Sequence, residues 1–140
     1  MNPLELLYDF PNKLAGLLTL LRAEKHRRGR EAANYFNELA ETLNAMIVKL
    51  RKREVPREEG HKFQVLIHAF EEKTKRLKKD VISSELAEEL QIVSQKAEIL
   101  DGALLIYLPD VEEQRLIWLH EMERMVGDFR GIAAVLESGT

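Results

Sequence analysis

The chain has no cysteine. That excludes disulfides, thiolate metal sites and a cysteine nucleophile, and it suits a reducing compartment. Four prolines and seven glycines in 140 residues are too few for a loop-rich or low-complexity chain, so each marks a candidate joint. No run of about 18 apolar residues occurs, so no single helix is expected to span a bilayer. Met1-Asn-Pro-Leu-Glu5 lacks the basic start and long apolar region of a signal peptide. A cytoplasmic location follows as the expectation, with peripheral membrane contact on activation. No stretch alternates with period two, so no strand is expected. There is no phosphate-cradling glycine loop, no Gly-x-Ser-x-Gly elbow and no His-Glu-x-x-His motif. No enzyme, cofactor or small-molecule substrate is therefore expected.

What is present is helical periodicity. Leu14, Leu17, Leu18 and Leu21 fall at i, i+3, i+4 and i+7, one face of a helix that Pro11 can open. Ala32, Phe36, Leu39, Leu43, Met46 and Leu50 repeat the pattern. Between the two runs lies Arg22–Arg30, with five Lys/Arg and one Glu. Gly29 adds about 1 kcal/mol of helix cost relative to Ala. Two outcomes fit: one long helix with a solvated waist, or two helices hinged near Lys25–Gly29. Val55-Pro56 ends this region, since a residue before proline leaves the helical basin. Phe63, Leu66, Ile67, Phe70, Leu77 and Val81 form the next stripe, and Lys73, Lys75, Arg76, Lys78 and Lys79 crowd its far end.

Ser84 has the chemistry of an N-cap, followed by Glu85, Glu88 and Glu89 and the stripe Leu86, Leu90, Val93, Ala97 and Leu100. Asp101-Gly102 is a candidate break, and Ala103–Leu108 is a dense apolar run that should be buried or bound. Asp110 and Glu113 have capping-box spacing. They open a stripe of Val111, Trp118, Met122, Met125, Phe129, Ile132 and Leu136, widened by Leu116, Ile117 and Leu119. Gly127-x-x-x-Gly131 predicts that another helix crosses closely there. Ser138-Gly139-Thr140 reads as a frayed end. The expected architecture is all-α: a single domain over residues 1–140, an antiparallel helical bundle of four main helices at 12–53, 57–80, 84–107 and 110–137. It has five if the first breaks, and residues 1–21 form a mobile N-terminal helix.

Charge is unevenly spread. Residues 1–82 carry 17 Lys/Arg and 12 Asp/Glu, net +5; residues 83–140 carry 4 and 12, net −8. Such a split brings helices of opposite charge side by side, orients a domain on an anionic surface, or pairs copies head to tail. No metal site is expected. Glu-x-x-His occurs once, at Glu58 and His61, whereas a di-iron bundle needs two copies and two further glutamates. Nucleic acid is not the expected partner, because Tyr35 and Phe36 sit at core spacing and the whole chain is net −3. The candidate membrane- or partner-binding set is Leu14, Leu17, Leu18 and Leu21 with Arg22, Lys25, Arg27, Arg28 and Arg30: apolar side chains to insert, and cations to hold anionic lipid.

Arg27-Arg28, then Ala33-Asn-Tyr35-Phe36-Asn-Glu-Leu-Ala40, Leu50-Arg-Lys-Arg-Glu-Val-Pro56 and Glu85-Leu-Ala-Glu-Glu-Leu90 carry a resemblance. Over about residues 27–108 the chain resembles a helical module common in cyanobacterial proteins, where it stands before caspase-like, receptor or signalling NTPase domains. That resemblance implies a non-catalytic module working by protein–protein interaction or self-assembly. In layout, with an apolar N-terminal helix, a Lys/Arg-rich second helix, a Val-Pro turn and two more helices, the chain also resembles the four-helix cell-death bundles of fungal HeLo domains and the mixed-lineage-kinase-like pseudokinase, which implies self-assembly and membrane permeabilisation. The apolar face of Pro11–Leu21 beside its cations makes that N-terminal amphipathic helix the expected membrane-active element of such a cell-death or defence effector. The chain departs from those bundles in its acidic last third. The expected partners are a protein or a second copy, with an anionic membrane surface as the alternative.

Overall fold

The computed structural model describes residues 3–100 and 112–139. Among them it holds six α-helices: α1 (Pro3–Ala23), α2 (Arg30–Arg51), α3 (Arg57–His68), α4 (Phe70–Arg76), α5 (Ser84–Leu100) and α6 (Glu112–Ser138). A π-helical turn, Leu77–Val81, joins α4 to α5. No strand occurs among the described residues. The all-α class is the one the periodicity predicts.

Specific contacts fix the helix directions. Asp9 meets Lys96 at 2.9 Å and Ser83 meets Glu24 at 2.7 Å, which sets α5 antiparallel to α1. The Gly29 N–H donates to Leu136 O at 2.8 Å, and Arg115 donates to Leu50 O, which sets α6 antiparallel to α2. Lys49–Glu59 at 2.7 Å and Arg76–Glu31 at 3.2 Å run α3 and α4 back along α2. Arg124 reaches Asn12 at 3.2 Å, and Leu18 lies over Gly131, so α1 runs parallel to α6. One end of the molecule thus gathers the end of α1, the start of α2, the end of α4, the π-turn, the start of α5 with Glu85 in its first turn, and the end of α6.

The core is built round aromatic rings from four helices. Phe36 lies 5.8 Å from Phe70 and 6.1 Å from Phe129, and Phe129 lies 6.4 Å from Phe10. All four rings are fully buried. Tyr35 packs edge-on against Phe36 and Phe70. Its hydroxyl donates to Leu66 O at 2.5 Å. That carbonyl sits where α3 gives way to α4, and it also takes the Ala69 N–H at 3.1 Å, so the kink leaves it satisfied. Burial, with the Glu38 carboxylate nearby, pushes the Tyr35 phenol up, which keeps it a donor. Arg115, also buried, brings its guanidinium to Leu50 O at the negative end of α2.

Of the two outcomes open for residues 12–53, the chain takes the broken one: α1 ends at Ala23 and α2 begins at Arg30. Other expectations need correction. Pro11 does not start α1 but stands inside it. A proline there cannot donate to the carbonyl four residues back, a cost of about 3 kcal/mol. Burial of Phe10 against Phe129 of α6, and burial of Pro11 itself, offset it. The expected span 57–80 is broken at Ala69. Before Val55-Pro56, α2 already stops at Arg51, and Arg53 turns the chain at φ 61°. The cap of α5 is Ser83 rather than Ser84, since Ser83 Oγ accepts the Leu86 N–H at 3.3 Å. Leu116 and Ile117 face outward, and only Leu119 joins the core. Gly139 is not frayed: at φ 72° its N–H closes α6 on Val135 O at 2.9 Å. The close crossing expected at Gly127 and Gly131 holds only at Gly131, where a Cβ would lie 2.9 Å from Leu18; Gly127 faces open space. Asp101-Gly102, the run Ala103–Leu108, the Asp110 cap and Val111 lie outside the described residues.

Phe36→Ala and Phe129→Ala should each cost about 3–5 kcal/mol, because each removes a ring at a junction of helices. Leu66→Ala should cost less, being only half-buried. Urea unfolding checks this, and a Phe36→Ala loss under about 1 kcal/mol would contradict the described core.

Candidate functional site

Between Glu24, whose N–H still reaches Leu20 O at 3.1 Å, and Gly29, whose carbonyl accepts the Ala33 N–H at 2.9 Å, the chain leaves the helix, but it is tied down on two sides. The Arg27 N–H donates to Val81 O of the π-turn at 3.3 Å, and the Gly29 N–H to Leu136 O of α6. His26 is buried, with Nδ1 donating to Arg27 O at 2.8 Å. Arg28 straddles the end of α6: Nε donates to Glu137 O, and Nη2 to Glu137 Oε1 at 2.9 Å. Arg30 reaches the same carboxylate at 3.4 Å.

This tie favours glycine at position 29, since a larger residue would have to displace the end of the Leu77 side chain. Its φ of −124° is open to any residue, so conformation is not the reason. The reason is space: a Cβ would lie 2.9 Å from Leu77 Cδ2, with Val81 and Leu136 also within 4 Å.

The consequence is electrostatic. The basic cluster Arg22–Arg30 and the basic end of α4 are far apart in sequence but share one pole of the molecule. Between them lies a cleft of about 240 Å³, lined by Arg28, Arg30, Lys73 and Arg76, with Glu31, Leu77 and Val81. Arg76 Nη1 meets Glu31 Oε2 at 3.2 Å across it. Lys78 bends away to Gln91 of α5.

The candidate set divides in two. Leu14, Leu17, Leu18 and Leu21 fill the core, none more than 6% exposed. Lys25, Arg27, Arg28 and Arg30 are exposed at the basic pole. Arg22 is exposed but sits apart from the cleft, beside Gly131 and near Asp128 of α6. Leucines and arginines therefore do not form one surface in this conformation. Sequence reasoning missed that Lys73 and Arg76 face Arg28 and Arg30, and that Glu31 and Glu137 act as their internal counter-charges. The cation cluster on α4 was visible; its convergence with the joint was not.

Among the described residues, no group of three His, Cys, Asp or Glu is placed to hold a metal ion, and no helix is long and apolar enough to cross a membrane. No family model, no curated protein and no solved structure matches the chain.

Asp128 offers a test of the contact between α1 and α6. Burial raises its carboxyl, and the guanidinium groups of Arg124 and Arg22 pull it partly back. The folded state therefore holds the proton more tightly than the unfolded chain, whose aspartate titrates near 3.9. The group favours folding most below that value, and the benefit is lost as pH rises through the folded pKa. Asp128→Asn should match wild type near pH 3.5 and become the more stable of the two by pH 7. Urea midpoints that stay in step across this range would contradict the packing assigned to Asp128.

Proposed function

We propose that this chain is a non-enzymatic interaction module that docks acidic surfaces, a second copy of itself included, on its basic pole. We read its frame as an antiparallel bundle round four main columns of helix, with α1 as a fifth. The observation that carries this reading is the convergence of two basic clusters beside one cleft, while the chain from residue 83 onward is net −8. Opposed potentials of this kind steer association and set register more than they add affinity. The resemblance to cyanobacterial modules in front of caspase-like and NTPase domains points the same way.

Energetics favour this reading over membrane insertion. Withdrawing Leu14, Leu17, Leu18 and Leu21 from the core costs roughly 1.5–3 kcal/mol each, or about 6–12 kcal/mol in all. A whole domain is stable by only about 5–15 kcal/mol, so α1 leaves only where a membrane returns that energy. One observation still favours the second reading, a membrane-permeabilising cell-death or defence effector: the helix is interrupted between Ala23 and Arg30, so α1 is a separate rod.

Sedimentation velocity at rising concentration and two salt levels tests the first reading. It should show salt-weakened association, reduced at least about tenfold by the triple reversal Lys25→Glu, Arg27→Glu and Lys75→Glu. A strict monomer throughout, or association indifferent to the reversal, contradicts it. The second reading is tested by a cross-link. With no native cysteine, Asp9→Cys and Lys96→Cys joined by a bis-maleimide fix α1 to α5. On the effector reading the unlinked protein leaks anionic liposomes and the linked one does not; no leakage, or leakage unchanged by the link, excludes it.

A further inference from the structure

We propose that the cleft between the α1–α2 joint and α4 is a binding site for a phosphate group carrying close to two negative charges. The inference rests on reading the basic pole as the working surface, and it names the chemistry that one part of that pole takes.

Size argues for a compact ligand. At about 240 Å³ the cleft falls below the roughly 300–1,000 Å³ of sites that enclose drug-sized molecules or cofactors. Its lining argues for an anion: Arg28, Arg30, Lys73 and Arg76 stand against one carboxylate, Glu31. Three of these cations are guanidiniums, whose planar forks match phosphate oxygens two at a time. They already hold oxyanions, Arg76 on Glu31 and both Arg28 and Arg30 on Glu137.

Those ion pairs are weak holders. The Arg76–Glu31 side chains are 84% and 66% exposed, and exposed pairs contribute only about 0–1 kcal/mol. A phosphate monoester carries about −1.5 to −2 at neutral pH against −1 for each glutamate, so it can take the same forks on better terms. Leu77, Val81 and Ala32 give the cleft an apolar floor, where charge–charge attraction is less screened than on an open face. The start of α2 forms one wall, and its N-cap Gly29 supplies no side-chain cap, so the helix end adds partial positive charge.

Calorimetric titration with inorganic pyrophosphate at low salt is the test, on the intact chain. Wild type should bind, and Arg30→Gln with Arg76→Gln should weaken binding at least about tenfold. Glu31→Gln should strengthen it by removing a competitor, a gain that a merely structural role for Glu31 does not predict. Arg53→Gln with Arg57→Gln, at the opposite pole, should leave it unchanged. All are exposed positions, and far-UV spectra check that each variant folds. Absence of binding, weakening by Glu31→Gln, or equal loss from the opposite-pole pair overturns the proposal.

Vesicles carrying phosphatidic acid distinguish the sources of the phosphate. Vesicle binding that pyrophosphate displaces assigns the site to a lipid headgroup. Pyrophosphate binding without vesicle binding assigns it to a soluble phosphate. Vesicle binding that pyrophosphate fails to displace overturns the site. Self-association without pyrophosphate binding overturns the phosphate site and leaves the interaction module standing; pyrophosphate binding in a strict monomer does the reverse.

Discussion

At Gly29 the backbone of the joint comes so close to Leu77 that a single methyl group would touch it at 2.9 Å. That approach lets the Gly29 N–H reach Leu136 O and keeps Arg27 against Val81 O. Leu77 lines the floor of the cleft, so a side chain at position 29 would push the end of Leu77 into that space instead of into the backbone. The joint is therefore held by main-chain hydrogen bonds and core packing. Side-chain charges are arranged on a frame that other forces have already fixed.

Bringing like charges together at one pole works against folding, and the structure meets that cost locally. Glu137 stands between Arg28 and Arg30, and Glu31 faces Arg76. None of these pairs is deeply buried, so their net contribution is small and screened by salt. They hold cations in place without neutralising them all, and the pole stays positive. The opposite pole differs: Arg53 pairs with Glu112, Arg51 with Glu123 and Lys49 with Glu59. Charge there is balanced helix against helix, and the Lys49 ammonium holds the Glu59 carboxyl below its usual range.

Much of the frame was legible in the sequence. The stripe Ala32, Phe36, Leu39, Leu43, Met46 and Leu50 is buried throughout, as are Trp118, Met122, Met125, Phe129, Ile132 and Leu136, because helical period and burial are locally encoded. Breaks and caps were less legible. Pro11 continues a helix because Phe10 has a partner in Phe129, a contact more than a hundred residues distant that no local rule contains. Arg53 takes a left-handed turn without the glycine that usually signals one. The basic cluster from Arg22 to Arg30 was visible as composition. That it meets Lys73 and Arg76 depends on the order in which helices fold back, and periodicity does not carry that order. Leu116 and Ile117 fit the apolar pattern of α6 yet face outward, since the pattern alone cannot say how wide the covered stripe is.

The joint is fixed to both α6 and the π-turn, and that is what makes two distant basic clusters one surface. Amide hydrogen exchange at Arg27 and Gly29, read residue by residue in the intact protein, tests it most directly. A loop open to water exchanges freely, whereas amides hydrogen-bonded to Val81 and Leu136 open only with the helices that carry those carbonyls. Gly29 should be protected to about the level of the last turns of α6, and Arg27 to about that of the π-turn. Exchange of either at the rate of an unstructured peptide, with α2 and α6 still protected, would contradict the account.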